Sequence, residues 1–79
     1  MADYDKEKVD EAVLALLYLG LHDADQHGAR AWKGFDWDAM NRLHEKGLIG
    51  DPRSKAKSVV LSAENVKGAE IAFKKLFGS

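Results

Sequence analysis

Residues 36–48, Asp36-Trp37-Asp38-Ala39-Met40-Asn41-Arg42-Leu43-His44-Glu45-Lys46-Gly47-Leu48, describe a helix with both ends specified by side chains. Asp36 is a cap residue whose carboxylate can accept the unpaired N–H groups of a first turn. Phe35, just before it, can staple onto Met40, and Asp38 stands where the helix dipole favours negative charge. At the other end Gly47 suits the left-handed position after the last turn, with Leu48 reaching back to Leu43 as a Schellman motif requires. The expected helix covers residues 36–46.

Beyond it, Leu48–Asp51 and Ser58–Leu61 are short and β-compatible, and Asp51-Pro52-Arg53-Ser54 has turn chemistry, so a two-stranded hairpin is expected. Ser62 then caps a last helix from Ala63 to Phe77, where Val66, Ala69, Phe73, Leu76 and Phe77 recur at helical spacing and Gly78 ends the run. Gly68 inside that helix costs about 1 kcal/mol relative to alanine, which marks a soft or closely packed middle.

On the N-terminal side, residues 22–35 (HDADQHGARAWKGF) follow neither a period of 2 nor of 3.6 and read as an irregular link with at most one helical turn around Ala29–Lys33. The first helix is expected from Asp5 to Leu21, with Asp3 or Asp5 as cap. Val9, Val13, Leu16, Leu17 and Gly20 form its core-facing stripe; Leu14, Tyr18 and Leu21 form a second. A second stripe on so small a domain is either covered by the same chain or is a seam for self-association.

With 79 residues the chain has room for one domain, residues 1–79, burying roughly 60% of its unfolded surface. It has no cysteine, hence no disulfide framework, and no apolar run near the roughly 18 residues that span a bilayer. A cytoplasmic protein without cofactor, off the membrane and stabilised as a homodimer, is the expectation. Charge is divided unevenly: residues 1–41 hold four basic and nine acidic side chains, residues 42–79 eight and four. This implies two oppositely charged faces, head-to-tail attraction between copies, or solvated helix ends.

The run Leu43-His44-Glu45-Lys46-Gly47-Leu48-Ile49, a basic-tipped hairpin, Val59-Val60-Leu61-Ser62 and a capped helix resemble the winged-helix half of MarR- and PadR-type bacterial regulators. The resemblance implies a winged-helix-like α+β fold, mostly helical: helix, irregular link, helix, hairpin, helix. The whole chain also resembles a family of short uncharacterised bacterial proteins, through Ala31-Trp32-Lys33-Gly34-Phe35-Asp36-Trp37-Asp38 and Asp51-Pro52-Arg53-Ser54-Lys55-Ala56-Lys57-Ser58. Where a regulator's recognition helix would meet bases, this chain places Asp36, Trp37, Asp38 and Asn41, and two carboxylates repel a polyanion.

Three constellations carry binding chemistry. Arg53, Lys55 and Lys57, at alternate positions and with Lys46 nearby, suit phosphate contacts from a wing, or serve only solubility and edge protection. Trp32, Phe35 and Trp37 either plug the core or form a protein-binding hot spot. His22, Asp23, Asp25 and His27 hold metal-ligand chemistry without a known ligand spacing, and read as solvated loop residues. For catalysis, Ser54, Ser58, Ser62 and Ser79 have no histidine close in sequence, and His44 and Glu45 are helix neighbours that cannot face each other. The reading is a non-catalytic protein-interaction or accessory module, with Leu14, Tyr18, Leu21, Trp32 and Trp37 as contact residues; DNA binding through Lys46, Arg53, Lys55 and Lys57 is the alternative.

The inward positions of the expected elements are Val13, Leu16, Leu17, Met40, Leu43, Leu48, Val60, Phe73 and Phe77. Leu43→Ala or Phe73→Ala is expected to cost about 2–5 kcal/mol in urea denaturation. A variant melting like the parent shows its position to lie outside the core.

Overall fold

Asp5 accepts the N–H of Lys8 at 3.2 Å and starts α1, Lys6–Leu19. The computed structural model describes residues 4–78, so Asp3, the other candidate cap, and Ser79 lie outside the described residues. Asp36 accepts the N–H of Ala39 at 3.0 Å ahead of α2, Trp37–Glu45. That helix stops as its sequence requires: Gly47 has φ +77°, its N–H donates to the His44 carbonyl at 2.9 Å, and the Leu48 N–H donates to the Leu43 carbonyl at 3.0 Å. Ser62 accepts the Asn65 N–H at 3.2 Å and opens α3, Ala63–Phe77.

The link of residues 22–35 is not irregular. Leu21–Asp25 forms β1 and Gly28–Trp32 forms β2, an antiparallel hairpin turning at Gln26-His27. The Asp25 carboxylate closes the turn by accepting the N–H groups of His27 at 2.7 Å and Gly28 at 3.2 Å. Asp23, at φ +50°, sits where the β1 register slips. Ser58–Ser62 forms β3 and pairs antiparallel with β2 from Gly28 opposite Ser62 to Trp32 opposite Ser58. The sheet order is therefore β1-β2-β3.

The expected hairpin between Leu48–Asp51 and Ser58–Leu61 does not form. One bond from the Gly50 N–H to the Val60 carbonyl, at 2.8 Å, joins these segments, while β3 takes its partner from the first half of the chain. The order is α1-β1-β2-α2-β3-α3, an α+β arrangement about half helical, in place of helix, link, helix, hairpin, helix. Propensity hid β2: Gly-Ala-Arg-Ala-Trp contains no β-branched residue. Space decides it. A Cβ at Gly28 would lie 2.0 Å from the Leu61 carbonyl oxygen, and its φ of +149° also favours glycine.

Ala29, Ala31, Val59 and Leu61 face the helices and are buried with Val13, Leu17, Met40 and Leu43. Leu16, Leu48 and Phe73 are half-buried, so the cost expected at Phe73 falls below that at Leu43. Val60 and Phe77 are exposed, contrary to expectation. The register turns Val59 and Leu61 inward and hence Val60 outward, and Phe77 stands on the last turn of α3. Leu14 belongs to the core, with Tyr18 and Leu21 packed on it and the Tyr18 ring 5.3 Å from that of Phe73. The second stripe of α1 is thus covered from within the chain, largely by α3. No helix among the described residues is long and apolar enough to cross a membrane.

The uneven charge is resolved inside the fold as well. Asp10, almost wholly buried on α1, accepts the Arg42 Nε–H at 2.9 Å on each oxygen and the Lys46 ammonium at 3.0 Å. The Arg42 Nη2 stands 2.8 Å from Asp10 Oδ1 but off the hydrogen-bonding direction, so that contact is purely electrostatic. Lys46 also reaches Glu7, and Lys75 of α3 reaches Glu11, each at 3.0 Å. Acidic α1 is clasped by cations from the second half of the chain. Burial by itself would raise the Asp10 pKa, but hydrogen bonds and charge from Arg42 and Lys46 outweigh it and hold the carboxyl below its ordinary 3.8.

Gly28→Ala is expected to destabilise the fold by about 3 kcal/mol or more, because backbone rather than a mobile side chain must yield. Asp10→Asn is expected to cost about 2–3 kcal/mol at neutral pH, since Arg42 and Lys46 can still reach water. The folded carboxyl titrates below its unfolded value, so its contribution is complete above the unfolded pKa and is lost as pH falls through the folded one. The gap between parent and Asp10→Asn should therefore close below about pH 4 in urea melts run as a pH series.

Candidate functional site: the outer face of the sheet

Alternation along antiparallel strands sends His22, Arg30, Trp32, Ser58 and Val60 to the face opposite the helices. No helix among the described residues covers that face: Trp32 is 56% and Val60 49% exposed. The His22 ring stacks on the Trp32 indole with centroids 4.4 Å apart, and its Nδ1 lies 2.9 Å from the Gly20 carbonyl, which holds the imidazole in place. One side of the indole is thereby backed and the rest is left to solvent. Beside it the Arg30 Nε–H donates to Ser58 Oγ at 2.7 Å, fixing the guanidinium across the β2–β3 pair.

The loop of residues 51–57 borders the Trp32 end of this face. The Lys33 ammonium donates to the carbonyls of Pro52 at 2.8 Å and Ser54 at 2.6 Å, and Pro52 is buried. Arg53 turns back on Asp51: its backbone N–H and Nε–H donate to one carboxylate oxygen at 2.8 and 3.2 Å, holding that carboxyl below its ordinary range. Lys55 and Lys57 are exposed and form no ion pair among the described residues. Lys57 directly precedes Ser58, the partner of Trp32. The opposite end carries Asp23 and Asp25, which with His27, Arg30 and Val60 line a hollow of about 200 Å³. The face is polarised, cationic at its tryptophan end and acidic at its turn.

The residues singled out from sequence are thus dispersed. Trp32 lies at one end of the face, with Lys55 and Lys57 beside it on the bordering loop. Arg53 is spent partly on Asp51, and because residues 51–57 form turns and bends rather than a strand, no alternation aligns the three cations. Lys46 is engaged by Glu7 and Asp10 on the helical side. Leu14, Tyr18 and Leu21 are core or packed on the core, as is Phe35, whereas Trp37 is exposed on the first turn of α2. His22, Asp23, Asp25 and His27 are not gathered: His22 is held by Gly20 and Trp32, Asp25 by its turn. Among the described residues no group of three or more such side chains is placed to hold a metal ion. From sequence His22 reads as a solvated loop residue and Val60 as core, so neither is expected beside Trp32. The signal was present in Ala29-Arg30-Ala31-Trp32, small residues alternating with large polar and aromatic ones after an Asp-x-x-Gly turn.

A family model described as a domain of unknown function (DUF6429) matches residues 5–79. The "Uncharacterized protein y4hR" of Sinorhizobium fredii (strain NBRC 101917 / NGR234) is 51% identical over 75 residues, covering 95% of this chain and 96% of that protein. No solved structure gives a significant match.

Proposed function

We propose that this chain, which belongs to the DUF6429 family, is a non-catalytic interaction module that engages an acidic protein partner through the outer face of its sheet. The observation that carries the reading is the exposed Trp32, backed by His22 and flanked by the anchored Arg30. Tryptophan and arginine held rigid before binding lose little entropy on contact, which is the composition of an interface hot spot. Lys55 and Lys57 add charge complementary to carboxylates.

A nucleic-acid ligand has the same loop cations in its favour. It has less support overall, because single strands are held by a cationic track with successive stacking rings, and this face offers one exposed ring and an acidic far end. The wing that would carry Arg53, Lys55 and Lys57 into a duplex groove is not formed, and Asp36 and Asp38 occupy the start of α2.

Titration of the 15N-labelled chain with a short glutamate-rich peptide, and separately with oligothymidylate, tests the reading. The peptide is expected to shift the Trp32 indole N–H and the amides of β2, β3 and residues 51–57, and Trp32→Ala to weaken binding about tenfold or more. Lys55→Glu combined with Lys57→Glu should weaken it further at low salt. Shifts confined to the helices would remove this face as the site, and tighter binding of the oligonucleotide would replace the protein partner with nucleic acid.

A further inference from the structure

Helix α3 turns one side to solvent, and that side has an order of its own. Glu64, Gly68, Ile71 and Lys75 recur at steps of four, three and four, the spacing of a single helix–helix seam. Ala69 and Ala72 are buried against the rest of the fold, and Ile71 is 68% exposed. At Gly68 the surface is recessed: a Cβ there would meet nothing within 4 Å, and a groove of about 270 Å³ opens beside it, walled by Leu14, Leu43, Leu48 and Ala72. A protruding isoleucine and a recess therefore stand three residues apart on one helix. Nothing within the chain requires glycine at position 68, since its φ is not in the left-handed region and no neighbour presses on it, yet glycine weakens a helix interior.

A second copy of the chain supplies the missing neighbour. Two α3 helices set antiparallel about a twofold axis between residues 69 and 70 bring Ile71 of each copy opposite Gly68 of the other, and Glu64 opposite Lys75. Every contact then occurs twice, and both shape and charge are complementary. A parallel pairing would instead set Glu64 against Glu64 and Lys75 against Lys75. Lys75 already lies 3.0 Å from Glu11 of its own chain, so its ammonium sits on the side of α3 that borders the groove. We propose that the chain self-associates through this seam, with Ile71 of each copy seated in the recess at Gly68 of the other. The inference is independent of the sheet face, and it puts the second copy on α3 and not on the Leu14, Tyr18 and Leu21 stripe, which the fold has buried.

Sedimentation equilibrium of the full chain from about 10 µM to about 1 mM tests it. The parent is expected to show a monomer–dimer equilibrium, and Ile71→Glu to raise the dissociation constant at least about tenfold. Gly68→Met fills the recess with a better helix former, and should also disrupt the dimer while its diluted monomer melts no lower than the parent's. Glu64→Lys should weaken the dimer about fivefold, and adding Lys75→Glu together with Glu11→Lys, which keeps the pair within the chain, should restore it to within about twofold of the parent. A parent that stays monomeric overturns the proposal, as does a dimer that survives both Ile71→Glu and Gly68→Met. Failure of the charge exchange to recover association overturns the antiparallel register.

Discussion

The architecture depends on how closely β2 and β3 approach at Gly28. With the Leu61 carbonyl oxygen 2.0 Å from where a Cβ would stand, no other residue fits the start of the central strand without moving backbone. Neighbouring features follow from that contact. Gly28 pairs with Ser62, the residue that caps α3, and the Ala63 N–H donates to the His27 carbonyl at 3.0 Å. The turn before β2 therefore sets where β3 ends and where the last helix begins. Ala29 and Ala31, the next inward residues, are small enough to let α1 and α3 lie on the sheet.

Charge completes what this close approach begins. Asp10 is buried with Arg42 and Lys46, and Glu11 holds Lys75, so the acidic first helix draws α2 and α3 onto itself. A buried carboxylate with two cations fixes the relative placement of α1 and α2 more through its directionality than through its net energy. It also engages the Lys46 ammonium on the helical side, away from the outer face of the sheet. Lys55 and Lys57, beside Trp32, have no such partner among the described residues, and the cationic end of the exposed face owes its charge to them.

The molecule measures 38 × 35 × 18 Å, and the short dimension accommodates one helical layer and one sheet. Its two uncovered surfaces consequently lie on opposite sides: the Trp32 face on the sheet, and the Gly68–Ile71 seam on the helix that backs it. Pairing through α3, as proposed, would leave the Trp32 face of each copy outward, so that the dimer would present that face twice.

Local chemistry was sufficient for the helix starts and for the end of α2, whereas the first helix, expected to run to Leu21, ends at Leu19 because Leu21 is taken into β1. Asp5, Asp36 and Ser62 each cap where their side chains can reach an N–H three residues on, and Gly47 with Leu48 ends α2 by the expected pair of bonds, because these contacts are made within one turn of the chain. Trp32 and the basic loop were also visible as candidate binding residues. The sheet was not: Ser58–Leu61 read as a strand, but its partner was sought next door in Leu48–Asp51, when pairing with residues 28–32 depends on a glycine and two alanines whose low β-propensity conceals their fit beneath the helices. The exposure of Val60, the burial of Leu14 and the capture of Lys46 by Asp10 were likewise tertiary decisions, since each depends on register or on groups more than thirty residues distant. Contacts within a single turn, readable from the sequence, set where each helix starts and where α2 stops; the end of α1 at Leu19, short of the expected Leu21 that opens β1, and the choice of strand partners, and with it which face stays open, come from contacts across the fold.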